Sequence, residues 1–186
     1  MWCGKRSPSE FTTWYRCGSI AARQCSRTHR SNPDPAQSRE SQVCETKREI
    51  RALPGGFKFA ARLETERAPK SCVKFRAMLP LTAKLIQARW SGESGWIPFG
   101  NLALDIGYEN HTSYPAAGEL LLYPGGLSET EILFPYGATR FASKAGQLAG
   151  NHFATIYEGN DQLAALGRKV LWEGAQDIAF EAIDDD

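Results

Sequence analysis

Glu109-Asn110-His111-Thr112-Ser113 is the densest polar cluster in the sequence. A carboxylate beside an imidazole can do general acid–base work near neutral pH, because histidine titrates there and a neighbouring charge tunes it. The same residues also suit a solvated turn in which Asn and Thr side chains bond to nearby backbone. A second histidine stands in Gly150-Asn151-His152. Two histidines with Glu109 or Glu129 would supply enough ligands for a metal facial triad. No HxH or HxxxH spacing supports one, so no metal is expected. Glu129 and Glu131 occupy alternate positions of a strand-like run and share a face. Paired carboxylates shift each other's titration and can divide into acid and base. Their alternation with Ile132 and Phe134 reads instead as the solvent side of a strand. Ser143-Lys144 has the composition of an activated-serine pair, but adjacent strand residues point to opposite faces.

A site of this kind also needs walls. Trp90, Trp96, Tyr108, Tyr114 and Tyr123 crowd the same part of the chain, and Arg89 offers a fixed fork of donors suited to a carboxylate. Aromatic walls with a few converging polar groups are the usual form of a small-molecule site, though rings in a barrel core read the same way. The candidate catalytic set is therefore Glu109, His111, Glu129 and His152. The candidate ligand-binding set is Arg89, Trp96, Asn110, Ser113, Tyr123 and Asn151. The sequence holds no nucleophile elbow, phosphate-binding loop or dinucleotide fingerprint, so no cofactor is expected.

The 186 residues are 42% apolar and 23% charged, the balance of an ordinary globular protein. A net charge of +1 gives no electrostatic case for nucleic acid or an anionic membrane. No apolar run approaches the roughly 20 residues that span a bilayer, and the N-terminus has no apolar core of a secretory signal. Residues 1–47 hold eight Lys/Arg against four Asp/Glu, and four of the five cysteines. They are polar, Arg- and Ser-rich and aperiodic, and read as a disordered or non-native extension. A zinc site from Cys17, Cys25, His29 and Cys44 would need a CxxC pair that is missing, and a transit peptide would need amphipathic spacing. Residues 48–186 form the second unit, with Cys72 as their one cysteine. One cysteine cannot make an internal disulfide, which fits a reducing cytoplasm.

The elements that position the candidates follow from periodicity. KREIRAL and FKFAARLE are strands joined by the turn Leu53-Pro54-Gly55-Gly56, with Phe57, Phe59, Ala61 and Leu63 on one face. TERAPKSCVKFRAML predicts a helix with Pro69 in its first turn and Val73, Phe75, Met78 and Leu79 along its apolar side. LTAKLIQARW, GWIPFG and LALDIGY predict strands. GELLLYPGG and ETEILFPYG predict an antiparallel pair, and HFATIYEG another strand. GNDQLAALGRKVLWEG predicts a helix capped by Asn160 or Asp161, with Leu163, Leu166, Val170 and Leu171 inward and Gly174 at its end. QDIAFEAI is a last strand.

Two helices and about eight short strands point to a closed β-barrel, since closure removes the edges that such strands expose. Ala68-Pro69-Lys70-Ser71-Cys72-Val73-Lys74-Phe75-Arg76 resembles the first helix of cyclophilins. The stretch from Ile50 to Ile183 more closely resembles a bacterial cyclophilin-like family, domain of unknown function 3830. The resemblance rests on RWSGESGWIP (89–98), ENHTSYPAAGELLLYPGG (109–126), SETEIL (128–133), FASKAGQLAGNHF (141–153) and LGRKVLWEGAQDI (166–178). It implies a mainly β, cyclophilin-like barrel whose two helices cover the ends, and it implies no established activity. The arginine strand of the prolyl isomerases, Phe-His-Arg-Ile-Ile-Pro, is absent; Arg89 is flanked by Ala88, Trp90 and Ser91. In a small barrel, strands bring distant loop ends together. The candidate residues are therefore expected at one concavity, binding a small polar metabolite or a short peptide. The alternatives are a metal-free acid–base enzyme (lyase, isomerase or hydrolase) and a divergent isomerase-like peptide-binding module. A homo-oligomer is compatible with the sequence.

Overall fold

The computed structural model describes residues 49–183. The extension 1–47, with Cys17, Cys25, His29 and Cys44, lies outside the described residues. In chain order the strands are β1 (Glu49–Ala52), β2 (Phe59–Leu63), β3 (Leu81–Gln87), β4 (Gly92–Pro98), β5 (His111–Thr112), β6 (Glu119–Tyr123), β7 (Glu131–Thr139), β8 (Ala142–Ser143), β9 (Gly146–Gln147), β10 (Gly150–Glu158) and β11 (Gln176–Ala182). The helices are α1 (Pro69–Ala77) and α2 (Leu163–Glu173).

Antiparallel pairing runs β2-β1-β11-β3-β4-β7-β6-β10, and β10 returns to β2. The result is a closed eight-stranded barrel. An eight-stranded barrel has an interior just wide enough for side chains to fill. Ile50, Phe59, Leu85, Ile97, Leu122, Ile132, Phe134 and Phe180 fill this one. The helices complete that core. In α1 the buried positions are Ser71, Cys72 and Phe75, and Phe75 packs on Phe153 and Phe180 with ring centroids 4.7 and 5.3 Å apart. In α2 they are Leu163, Leu166, Gly167 and Val170.

Three expectations need correction. Val73 is 62% and Leu171 54% exposed, because the helical stripes run through Ala68, Cys72 and Phe75 and through Leu163, Leu166 and Val170. Residues 102–108 form no strand; Asp105 adopts φ 53°, which interrupts extended backbone. No side chain caps α2. A 3₁₀ turn, Asn160–Gln162, precedes it, and Asn160 donates to the Ile156 carbonyl at 3.3 Å instead.

The outer face of the barrel is not uniformly wet. On β4, β6 and β7 the outward residues Trp96, Leu121, Tyr123 and Leu133 form a second apolar cluster with Ala88, Phe141 and Leu148. The segment carrying β8 and β9 lies over that face. It is held by Ser91, whose hydroxyl donates to the Ala142 carbonyl at 3.0 Å and accepts from the Ala142 N–H at 3.2 Å. At its other side the Phe141 N–H donates to the Ser113 carbonyl at 2.8 Å.

Gly167 lets α2 approach β7, because a Cβ there would run into the Tyr136 ring. Alanine for glycine in a helix normally stabilises by about 1 kcal/mol. Gly167→Ala is expected to do the reverse and cost about 1–3 kcal/mol through overpacking. A thermal melt at or above the wild-type midpoint would contradict this packing.

Candidate functional site

The site is built on β7. Ile132 and Phe134 point into the barrel, so Glu131 and Leu133 point outward. There they meet the second apolar cluster rather than water. Glu131 is 6% exposed and stands directly opposite Tyr123 in the β6–β7 ladder. It lines a cavity of about 410 Å³. Ile86, Trp96 and Leu133 supply apolar lining, Glu129 and Glu131 carboxylates, and Arg89 and Lys144 cations. Both cations are exposed and sit on the turns after β3 and β8.

Glu129 is held in place because its Oε2 accepts the Gly100 N–H at 3.1 Å. No hydrogen bond or ion pair of the Glu131 side chain is found among the described residues. Burial, reinforced by the charge of Glu129, pushes the Glu131 carboxyl up to about 7. A carboxyl in this state can give or take a proton at neutral pH. The face of Glu129 and Glu131 was expected to be solvated. The cover of Phe141 and Leu148 makes it a second, partly polar interior instead.

The expected convergence is only partial. The cavity lining includes Arg89, Trp96 and Glu129 but not Glu109, His111, Tyr123 or His152. Tyr123 is buried beside it, and its hydroxyl accepts the Leu127 N–H at 3.1 Å. The remaining candidates form a polar knot where β10, β5 and the start of α1 meet. Glu109 Oε1 accepts the Ser71 N–H at 2.6 Å, in the first turn of α1, where backbone donors lack helical partners. Asn151 is fully buried; its amide donates to Ser71 Oγ and the Gly107 carbonyl, both at 3.0 Å, and its Oδ1 accepts the Glu109 N–H at 3.1 Å. Asn110 has φ 46° and donates to the His152 carbonyl at 2.9 Å. Ser113 contributes the carbonyl that anchors Phe141.

The two histidines are neighbours in the sheet, since His111 pairs with Asn151 across β5 and β10. They differ in setting. His152 is 8% exposed, with Nε2 2.9 Å from the Thr155 hydroxyl, and that hydroxyl donates to Glu64 at 2.7 Å. His111 is exposed, its ring 5.2 Å from that of Tyr108. No cluster of three or more metal-ligating side chains occurs among the described residues. Cys72 is no ready nucleophile, because burial pushes its thiol up to about 12.

Sequence reasoning singled out Glu131 only as half of a pair, and passed over Lys144 as a cavity residue. Burial raises the folded-state value of Glu131 above the 4.5 of a free glutamate. Its contribution to stability is therefore complete below about pH 4.5 and is lost as pH rises through about 7. Glu131→Gln removes that loss. The variant is expected to melt higher than wild type at pH 8, by up to roughly 3 kcal/mol, and to show no such gain near pH 4. An equal effect at both pH values would contradict the burial of an ionisable group here.

Comparison with known proteins places the fold and the family. The family model described as protein of unknown function (DUF3830) matches residues 53–182. No curated protein matches the sequence. The solved structure of McbB in complex with tryptophan is similar, with TM-score 0.58 and 17% identity over 74% of this chain and 45% of McbB. The chain thus spans less than half of McbB. The solution structure of the hypothetical protein AF2241 from Archaeoglobus fulgidus has TM-score 0.50 and 14% identity, over 74% of this chain and 96% of AF2241. At these identities the likeness shows the fold alone. Because the family model covers well over half of the chain, the protein belongs to the DUF3830 family.

Proposed function

We propose that the cavity on the outer face of β4 and β7 binds a small polar ligand, and that Glu131 is the group that recognises it. One observation carries this reading: a buried carboxyl faces the cavity with no partner of its own among the described residues. Buried charges are otherwise paired or hydrogen-bonded, because an unmet one is costly. A bound molecule would supply the missing donor. About 410 Å³ lies within the roughly 300–1,000 Å³ usual for small-molecule sites. McbB, whose solved structure holds tryptophan, shares the fold, which supports a metabolite over a short peptide. The barrel with two helices is in keeping with a cyclophilin-like ancestry. Arg89 nevertheless lacks the strand context of a prolyl isomerase, so that reading is the weaker one. A cytoplasmic setting is part of the proposal.

A second reading is metal-free acid–base catalysis in the same cavity. It is favoured by one feature, a carboxyl that titrates near neutrality beside a second, fixed carboxylate. Glu131 would move the proton and Glu129 would hold charge. Glu109, Asn151 and His152 would then preserve the site's frame rather than touch the ligand.

A thermal-shift screen of metabolites tests both readings. Compounds that raise the melting temperature are expected to lose at least about tenfold in affinity on Glu131→Gln or on Arg89→Ala, since each charged contact is worth about that much. Hits that bind both variants as tightly as wild type would place the ligand elsewhere and overturn the proposal.

A further inference from the structure

Resting on the cavity as the ligand site, we propose that its ligand is a zwitterion with an apolar or aromatic body, such as an α-amino acid with an aromatic side chain. The ammonium group would lie against Glu131 and Glu129, the body on Trp96 and Leu133, and the anionic group toward Arg89 and Lys144. The polarity of the cavity dictates this order. Its floor is acidic: Glu131 opens β7, and Glu129 is fixed just before it by the Gly100 N–H. No Lys or Arg lies within ion-pair distance of either carboxylate among the described residues. The cations that do line the cavity are exposed and sit at its rim, one on the turn after β3 and one on the turn after β8.

A bare anion would pair with the rim but approach two carboxylates. A bare cation would satisfy the floor and leave the rim unused. A molecule with both charges, separated by a few bonds, meets each group with its complement. Trp90 and Trp96 both line the cavity and supply aromatic surface for the body. Tyr123 lies opposite Glu131 on β6; its hydroxyl accepts the Leu127 N–H and is hydrogen-bonded to Tyr108.

This arrangement has a proton signature. Glu131 titrates at about 7, so near pH 7 about half of it carries a proton in the empty site. An ammonium beside it favours the ionised form, and the proton leaves to solvent. An anion at the rim alone would release none.

The test compares three molecules with one body and different charges on the full chain: phenylalanine, phenethylamine and 3-phenylpropionate. Calorimetry at pH 7 in two buffers of different ionisation enthalpy gives affinity and proton release, and NMR shifts of cavity residues report the site. Phenylalanine is expected to bind at least about tenfold more tightly than 3-phenylpropionate and to release up to about half a proton. Glu131→Gln should abolish the proton release and that preference. Arg89→Ala should weaken phenylalanine and leave phenethylamine unchanged. If 3-phenylpropionate binds in the cavity as well as phenylalanine, or Glu131→Gln preserves the order, the zwitterion is wrong and the cavity reading stands. If none of the three shifts a cavity residue, the zwitterion is wrong again. The cavity reading itself falls only if the metabolite screen also finds nothing there.

Discussion

A carboxyl group set into an apolar sheet face is the constraint on which the site depends. Closing eight short strands into a barrel fills the interior with Phe59, Ile97, Ile132, Phe134 and their neighbours. It also leaves every strand with an outer face that would normally be wet. On β4, β6 and β7 that face carries Trp96, Leu121, Tyr123 and Leu133, and Phe141 and Leu148 are packed over it. Glu131 lies in the same row. Once the cover is in place it is only 6% exposed and has no partner among the described residues. Its raised titration and the cavity beside it follow from that cover, and the covering segment also brings Lys144 to the rim.

The polar knot on β10 serves the other side of the same frame. Asn151 ties the first turn of α1 to residues 107 and 109, and Glu109 accepts a donor that the helix cannot satisfy itself. Asn110 then joins that loop to the backbone of His152. Ser113, two residues past His111, anchors Phe141, the main cover of the outer face. The cluster that looked most like chemistry in the sequence thus positions the segment that makes the cavity.

Much of the fold was legible because it rests on local rules. The β1–β2 hairpin, the β6–β7 pair, Gly174 at the end of α2 and the facing of Ile132 and Phe134 follow from turn residues and a period of two. The site was legible in part. Arg89, Trp96 and Glu129 do line one cavity. The burial of Glu131 was not, since alternation shows which residues share a face and not what covers it. That cover is set by contacts from residues 141–148, whose composition gives no periodic signal. Val73 and Leu171 misled for a related reason: an apolar residue one position off a helical stripe faces solvent.

The most direct measurement is the ionisation of the Glu131 side chain itself. Selective ¹³C labelling of glutamate, with assignment through Glu131→Gln, allows its carboxyl carbon to be followed by NMR from pH 4 to 9. A midpoint near 7, falling in the Glu129→Gln variant, is the result that a desolvated carboxyl beside a second carboxylate requires. A midpoint close to the 4.5 of a free glutamate would mean that Glu131 is solvated, and that the covered face and its cavity do not exist as described.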